Sequence, residues 1–390
     1  MTGIFPKMER IDSIDLIRGI AILGILLMNV MAMAAPEIAY YVPEWFAGAG
    51  WMEHLVYILQ SLLVESRFMG LFSLLFGVGL AIQSERFAAR GLKPRRWIRR
   101  RLGWLLLFGL LHGFVFCGGD ILTVYAVCGF FVLLLMDRPV KRLVRTGAIL
   151  ILMGQVALLA AFAGSLMTGE NIMEIPALPY RPAEIDALRD LWTRSPARFS
   201  LNAATYLELL SAIPLTFIWH TSGVMLIGVA LYRSGFFSSG RARRWALPLA
   251  GVGFVAGALV LLLRYRVGLD SSAGYSTLGM MMIPGLAMAI GYASMLVPLG
   301  GSSGLLARAL RNTGKTAFTL YLGQTVVTVG LFALVAPGLW GSLGRGALWG
   351  YVLLFSIVQV VFAHRWQTRR GQGPMEALWR RLAFRRLPTA

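Results

Sequence analysis

Ionisable side chains inside the long apolar stretches of this chain are few, and each is a candidate for chemistry, because a charge in hydrocarbon costs several kcal/mol unless something partners or uses it. His112 and Asp120 stand together in GLLHGFVFCGGD. Along a continuous helix they would lie about 12 Å apart, and closer if Gly118-Gly119 turns the chain back. A histidine so placed suits general-base work on a hydroxyl, with the carboxylate orienting the imidazole or raising its basicity. The competing reading is a histidine bonded to a neighbouring helix as a packing device. His220 sits beside Trp219, Thr221 and Ser222, which reads as a locally satisfied structural residue. His54 follows Glu53 in an aromatic segment that water can reach, His364 falls at a helix end, and Glu208 and Gln324 complete the polar set. Asp15 and Arg18 are three apart, hence on one helical face, and suit an ion pair. A sharper reading joins Arg18 to Arg95, Arg96, Arg99 and Arg100 as planar, bidentate donors for the phosphates of a nucleotide-like cofactor. Anchoring to anionic lipid explains most of the same charges.

The elements that must position these groups are membrane helices. Of 390 residues, 57% are hydrophobic and 14% charged, with a mean hydropathy of +0.68; a soluble domain carries about a quarter charged residues. Ten apolar windows of spanning length occur, at 16–35, 68–84, 102–118, 121–136, 146–166, 207–231, 246–263, 275–298, 317–336 and 346–363. The fold class expected is therefore all-α, a polytopic bundle in one transmembrane domain. With both termini inside, 29 Lys and Arg fall on the inner side and 8 on the outer, against 6 and 12 for Asp and Glu. That asymmetry orients the chain N-in and C-in, and it assigns the net charge of +19 to topology rather than to nucleic acid. Lys7 and Arg10 before an apolar run ending Ala32-Met33-Ala34 would also suit a signal peptide; Asp12, Asp15 and Arg18 at the mouth of the run favour a retained helix. Three segments lie outside the spans: an aromatic interfacial stretch at 36–66 with Tyr40, Tyr41, Trp45, Phe46 and Trp51, a polar loop or lid at 167–206, and a basic tail at 364–390. The lid carries Glu170, Glu174, Glu184, Asp186 and Asp190, with arginines between them.

Familiar catalytic signatures are missing: no P-loop, no GxSxG elbow, no HExxH, and no His/Cys cluster at zinc spacing. No metal is expected. Cys117 and Cys128 read as ordinary packing, Gly77-Val78-Gly79 as a close helix contact, and Pro214 and Pro284 as points where spans could break.

The segments RIDSIDLIRGIAILGILLMNV (10–30), RFMGLFSLLFGVGLAIQ (67–83), RRLGWLLLFGLLHGFVFCGGDILTVYAVCG (100–129), MLIGVALYRSGFF (225–237), GKTAFTLYLGQ (314–324) and GPMEALWRRL (373–382) resemble, in order, those of the YeiB-like bacterial membrane proteins, whose C-terminal part carries a domain of unknown function. That family is in turn similar to the transmembrane acyltransferases, which include the lysosomal heparan-glucosaminide acetyltransferase. The resemblance implies a multi-pass protein of the bacterial inner membrane that takes an acyl group from cytoplasmic acyl-CoA, acetyl-CoA in the simplest case, and delivers it to an extracytoplasmic sugar or lipid head group. Asp15, Arg18 and Gly19 match the Asp-x-x-Arg-Gly start of the superfamily's first helix, and Asn29 a polar position near its outer end. The resemblance leaves the base open between His54, in the segment after the first span, and His112, in LLHG. It also implies that Tyr125, Thr319, Tyr321 and Gln324 share a cavity with His112 and Asp120. A transporter or flippase of a small molecule or lipid is the alternative, and the oligomeric state is left open.

Overall fold

The computed structural model describes residues 11–36, 38–43, 50–168, 182–193, 196–238, 240–269 and 271–385, and among them the chain is helical with no strand. The first span is α1 (Asp12–Ala34). The interfacial segment forms a short α2 (Ile38–Tyr41) and then α3 (Trp51–Leu63), which runs on into α4 (Arg67–Ala88). Ser66, at φ 61°, makes the bend between them. Trp45 and Phe46 lie outside the described residues. Next come α5 (Pro94–Val115) and α6 (Ile121–Leu135), joined by a tight turn, and α7 (Val140–Thr168).

The outer polar stretch is partly helical. Its described portion holds α8 (Pro182–Thr193) and the start of α9 (Ala197–Ala212), while Glu170 and Glu174 lie outside the described residues. A π-helical turn at Ile213–Phe217 carries α9 into α10 (Ile218–Arg233). Pro214 therefore widens the span instead of breaking it, which a π turn permits because it absorbs one extra residue. After α11 (Ala246–Val267) and α12 (Ser272–Met280), Pro284 sits in the first turn of α13 (Met282–Leu296), where its missing N–H leaves no bond unmade. The remainder is α14 (Leu305–Lys315), α15 (Ala317–Gly330), α16 (Arg345–Arg370) and α17 (Pro374–Phe384).

Among the described residues, eight helical stretches are long and apolar enough to cross a membrane, with α6 a shorter apolar helix. The window at 102–118 differs: α5 starts two turns earlier, in PRRWIRRR, so its first third is basic and only its remainder is apolar. The tail differs too. Instead of ending near 363, α16 continues to Arg370, stops at Gly371 (φ 69°), and α17 folds back onto the bundle. Residues 386–390 lie outside the described part.

Two helices form the centre. α1 packs on α4, α13, α14, α15 and α16, and α4 packs on α1, α5, α6, α10 and α13. Backbones touch where glycines allow it: a Cβ at Gly19 would lie 2.0 Å from Leu310 O, and one at Gly314 would lie 1.9 Å from Asp15 O, so α1 and α14 meet without side chains between them. Gly77 and Gly228 do the same for α4 and α10. By contrast α7, α11 and α16 expose Leu152, Leu247, Leu354 and similar side chains, as helices facing lipid do.

At the outer end, arginines that run against the orientation rule are buried, and one of them, Arg264, is paired with an acid. Glu65 accepts two hydrogen bonds from Arg264, at 3.1 and 3.0 Å. Arg264 also donates to Tyr57 (3.1 Å) and Thr277 (2.8 Å), Arg67 donates to the Glu65 carbonyl (2.6 Å), and Arg345 bonds the carbonyl of Ala39 and lies over the Tyr57 ring. These links tie α3, α4, α11, α12 and α16 together.

Candidate functional site

The α5–α6 hairpin carries the central pair. Asp120 is the N-cap of α6: its Oδ2 accepts from Thr123 N at 2.9 Å, an arrangement that fixes the carboxylate as the helix begins. Its Oδ1 then meets His112 Nδ1 at 2.8 Å, both side chains being buried. The last turn of α5 closes on the His112 carbonyl, which accepts from Phe116 N and Cys117 N. The Gly118-Gly119 turn brings the acid back to the histidine. Gly109 lets α6 approach, since a Cβ there would lie 2.4 Å from Thr123 Oγ1 and 2.9 Å from Asp120 Oδ2. With Nδ1 committed to Asp120, His112 Nε2 is buried and has no hydrogen-bond partner among the described groups. An imidazole held by a carboxylate through Nδ1, with Nε2 free, is the arrangement of a general base.

Residues of α9 hold this hairpin in place. Asn202 accepts from Gly118 N (2.6 Å) and donates to the carbonyls of Gly113 (2.7 Å) and Phe114 (2.9 Å). Tyr206 bonds the Thr123 hydroxyl and the Gly109 carbonyl. Neither residue is apparent from the sequence as part of the site; a polar side chain in a polar outer segment carries no signal of where it points.

A cavity of about 590 Å³ lies between α1, α4, α5, α6 and α15. Its inner mouth, at the basic end of the bundle, presents Arg18, Arg86, Arg101 and Lys315, with Asp15 and Glu376. Arg18 and Asp15 pair at 3.3 Å, the ion pair expected from their spacing. Its shaft is apolar, with Ile22, Ile25, Phe76, Leu80, Leu102 and Leu105, and its far wall includes Ile121, Tyr125 and Tyr321. Tyr321 connects the cavity to the pair behind it: its ring stands 5.4 Å from the His112 ring and its hydroxyl donates to Asp120 Oδ1 at 3.4 Å. The dyad thus sits one side chain behind the cavity wall.

The other expected residues divide. Tyr125 is on the wall and bonds Ser73 and the Met69 carbonyl, each at 3.2 Å. Thr319 is not on the wall; its hydroxyl and amide bond Glu376. Gln324 is also off the wall and links α15 to Ile22 O (2.9 Å) and Gln359 (2.8 Å). Asn29 is half-buried on α1, away from the wall. His54 lies on α3, its Nδ1 3.5 Å from the Tyr265 hydroxyl, and does not line the cavity.

Of the arginines expected at the cationic mouth, Arg18 lines it and those of the 95–100 run do not. Arg96 and Arg99 are exposed, Arg95 pairs with Asp137 at 2.8 Å, and Arg100 donates to Leu382 O at 3.2 Å. The reason is helical phase: Ile98, Arg101, Leu102 and Leu105 share the inward face of α5, which turns Arg96, Arg99 and Arg100 elsewhere. His220 also departs from expectation. It is buried with Nδ1 lacking a partner among the described groups, because neighbours one and two residues along a helix point to other faces. Glu208 is exposed. Gly77 packs as expected, whereas Gly79 faces the cavity. Among the described residues, no three His, Cys, Asp or Glu side chains gather as metal ligands.

Comparison with known proteins follows this geometry. A family described as a protein of unknown function, DUF418, matches residues 231–386. The chain is 32% identical to the uncharacterized protein YeiB of Escherichia coli (strain K12), over 97% of both chains. The chain belongs to the YeiB-like family. Two further relatives are 26% identical: the uncharacterized protein YxaH of Bacillus subtilis (strain 168), over 98% of this chain and 97% of that one, and an uncharacterized 39.9 kDa protein in the amylase 3' region of Bacillus acidopullulyticus, over 97% and 95%. No solved structure matches. In this YeiB-like chain the DUF418 stretch supplies Tyr232, Lys315, Tyr321, Glu376 and Trp379 to the cavity, and the His112–Asp120 dyad lies upstream of it.

Proposed function

We propose that this YeiB-like protein is a membrane acyltransferase that uses cytoplasmic acyl-CoA, in the simplest case acetyl-CoA, and passes the acyl group to an extracytoplasmic sugar or lipid head group. One observation carries the reading: a single cavity joins a cationic inner mouth, through an apolar shaft, to a wall behind which a histidine–aspartate dyad keeps one ring nitrogen free. Arg18, Arg86, Arg101 and Lys315 suit phosphates; Ile22, Ile25, Leu80 and Leu105 suit a thin, weakly polar arm. In the transfer, His112 Nε2 takes the proton of the acceptor hydroxyl or amine while Nδ1–H donates to Asp120. The acceptor atom bonds the thioester carbonyl carbon, the C–S bond breaks, and the proton passes to the leaving thiolate. Tyr321 stands between the dyad and the cavity, so its ring turns aside for the acceptor to meet His112 Nε2.

Calorimetry on the purified protein with acetyl-CoA and longer acyl-CoAs tests the reading. Saturable binding is expected, weakened about tenfold or more in Arg18→Ala, since a hydrogen bond to a charged group contributes roughly 1.5–3 kcal/mol. Absence of binding to every acyl-CoA overturns it and brings transport of a small molecule or lipid forward.

A further inference from the structure

The last described helix forms part of the cavity wall. Glu376 and Trp379 of α17 line the inner mouth beside Arg18, Arg101 and Lys315. We infer that α17 is a hinged lid over the cytoplasmic mouth, latched by Glu376.

The hinge is the break between α16 and α17. Gly371 ends α16 in the left-handed region, at φ 69°, and Gly373 precedes Pro374 at the start of α17, so the two helices are joined by backbone that cannot continue either one. A Cβ at Gly373 would meet Glu376 Oε2 at 2.1 Å and Thr319 Oγ1 at 2.9 Å, so the chain passes directly over the latch.

The latch is a carboxylate on the start of α15. Glu376 Oε1 accepts from Phe318 N at 2.7 Å and Thr319 N at 3.1 Å, and Oε2 accepts from the Thr319 hydroxyl. Met375 N donates back to Thr319 Oγ1 at 3.0 Å. Charge on an acceptor at a helix N-terminus strengthens such bonds. On the other side, Trp379 Nε1 donates to Arg101 O at 3.0 Å, and the Arg101 guanidinium lies 3.9 Å from the ring centroid. Further along, Arg100 holds Leu382 O and Phe384 meets the Phe87 and Trp97 rings. α17 packs chiefly on α5 and α15, two of the helices that line the cavity. At its mouth-facing end α17 is held by the part-buried bonds of Glu376 and by Trp379, buried against Phe318 with 5.1 Å between ring centroids, so opening exchanges the polar bonds with water and uncovers one aromatic side chain.

A thiol reporter inside the cavity reads the state of the lid without any ligand, so this inference stands or falls apart from acyl transfer. Gly79 lines the cavity, and a Cβ there has only Gln83 Nε2 within 4 Å, at 3.9 Å. Gly79→Cys, with Cys117→Ala and Cys128→Ala, is labelled in inside-out vesicles by a charged maleimide. Adding Glu376→Ala is expected to raise the labelling rate at least about tenfold, the loss of a charge-assisted bond. Pairing Thr319→Cys with Met375→Cys and oxidising before labelling is expected to slow the reaction severalfold, with recovery after reduction. Equal rates with Glu376 present, with Glu376→Ala and with the disulfide closed would overturn the lid. Should Glu376→Ala fail to fold, the disulfide arm decides alone: a rate indifferent to oxidation rejects the hinge.

Discussion

Glu65 and Arg264 at the outer end of the bundle, and His112 and Asp120 beside the cavity, are both buried acid–base pairs, but they are completed differently. Every guanidinium nitrogen of Arg264 has a partner among Glu65, Tyr57 and Thr277, whereas His112 keeps Nε2 unbonded. The first pair bridges two stretches of chain about two hundred residues apart; the second lies within one hairpin and backs onto a cavity. A fully partnered buried charge acts as a fastener, because removing one member strands the other. An incompletely partnered one has capacity left for a substrate. The contrast separates stability from chemistry in this molecule, and substitutions on each side test it.

The largest expected effect is at the fastener. Glu65→Ala leaves Arg264 buried without its acid, and breaking such a pair costs about 3–5 kcal/mol; thermal unfolding in detergent is expected to fall sharply, and an unchanged midpoint would erase the distinction between the two pairs. Next, His112→Ala is expected to fold and to keep binding acyl-CoA while its transfer rate falls by about 10²–10⁴, the usual contribution of a positioned base. Radiolabelled acetyl transfer measured beside acyl-CoA calorimetry separates the two, and full transfer would shift the base to His54. The smallest effect belongs to Tyr321→Phe. Its hydroxyl bonds to Asp120 and Ile121 N are long, 3.4 and 3.3 Å, so stability should change by only about 0.5–1.5 kcal/mol, with transfer altered less than in His112→Ala.

Much of this architecture is legible before folding. Spans declare themselves because about 20 apolar residues in a row have few other uses. The dyad is legible as well: eight residues and a Gly-Gly turn are enough to return Asp120 to His112. The cavity is not, because its wall is assembled from α1, α4, α5, α6, α15 and α17, and no pattern within one helix tells which face meets which neighbour. Helical phase could have selected Arg101 over Arg99 and Arg100, since Arg101 shares its face with Ile98, Leu102 and Leu105. Arg86 and Lys315 reach the mouth only through tertiary packing. Asn202 and Tyr206 were hidden for the same reason, being tens of residues from the turn they hold.

The closeness of His112 to Asp120 along the chain also bears on how the protein is made. Chains enter the membrane from the N-terminus as they are synthesised, so the dyad is complete once a single helical hairpin has inserted, with over half of the protein still to come. The cavity walls depend also on α15 and α17, which follow the hairpin in the chain by well over a hundred residues. During biogenesis the His112–Asp120 pair can therefore form before the cavity beside it is complete.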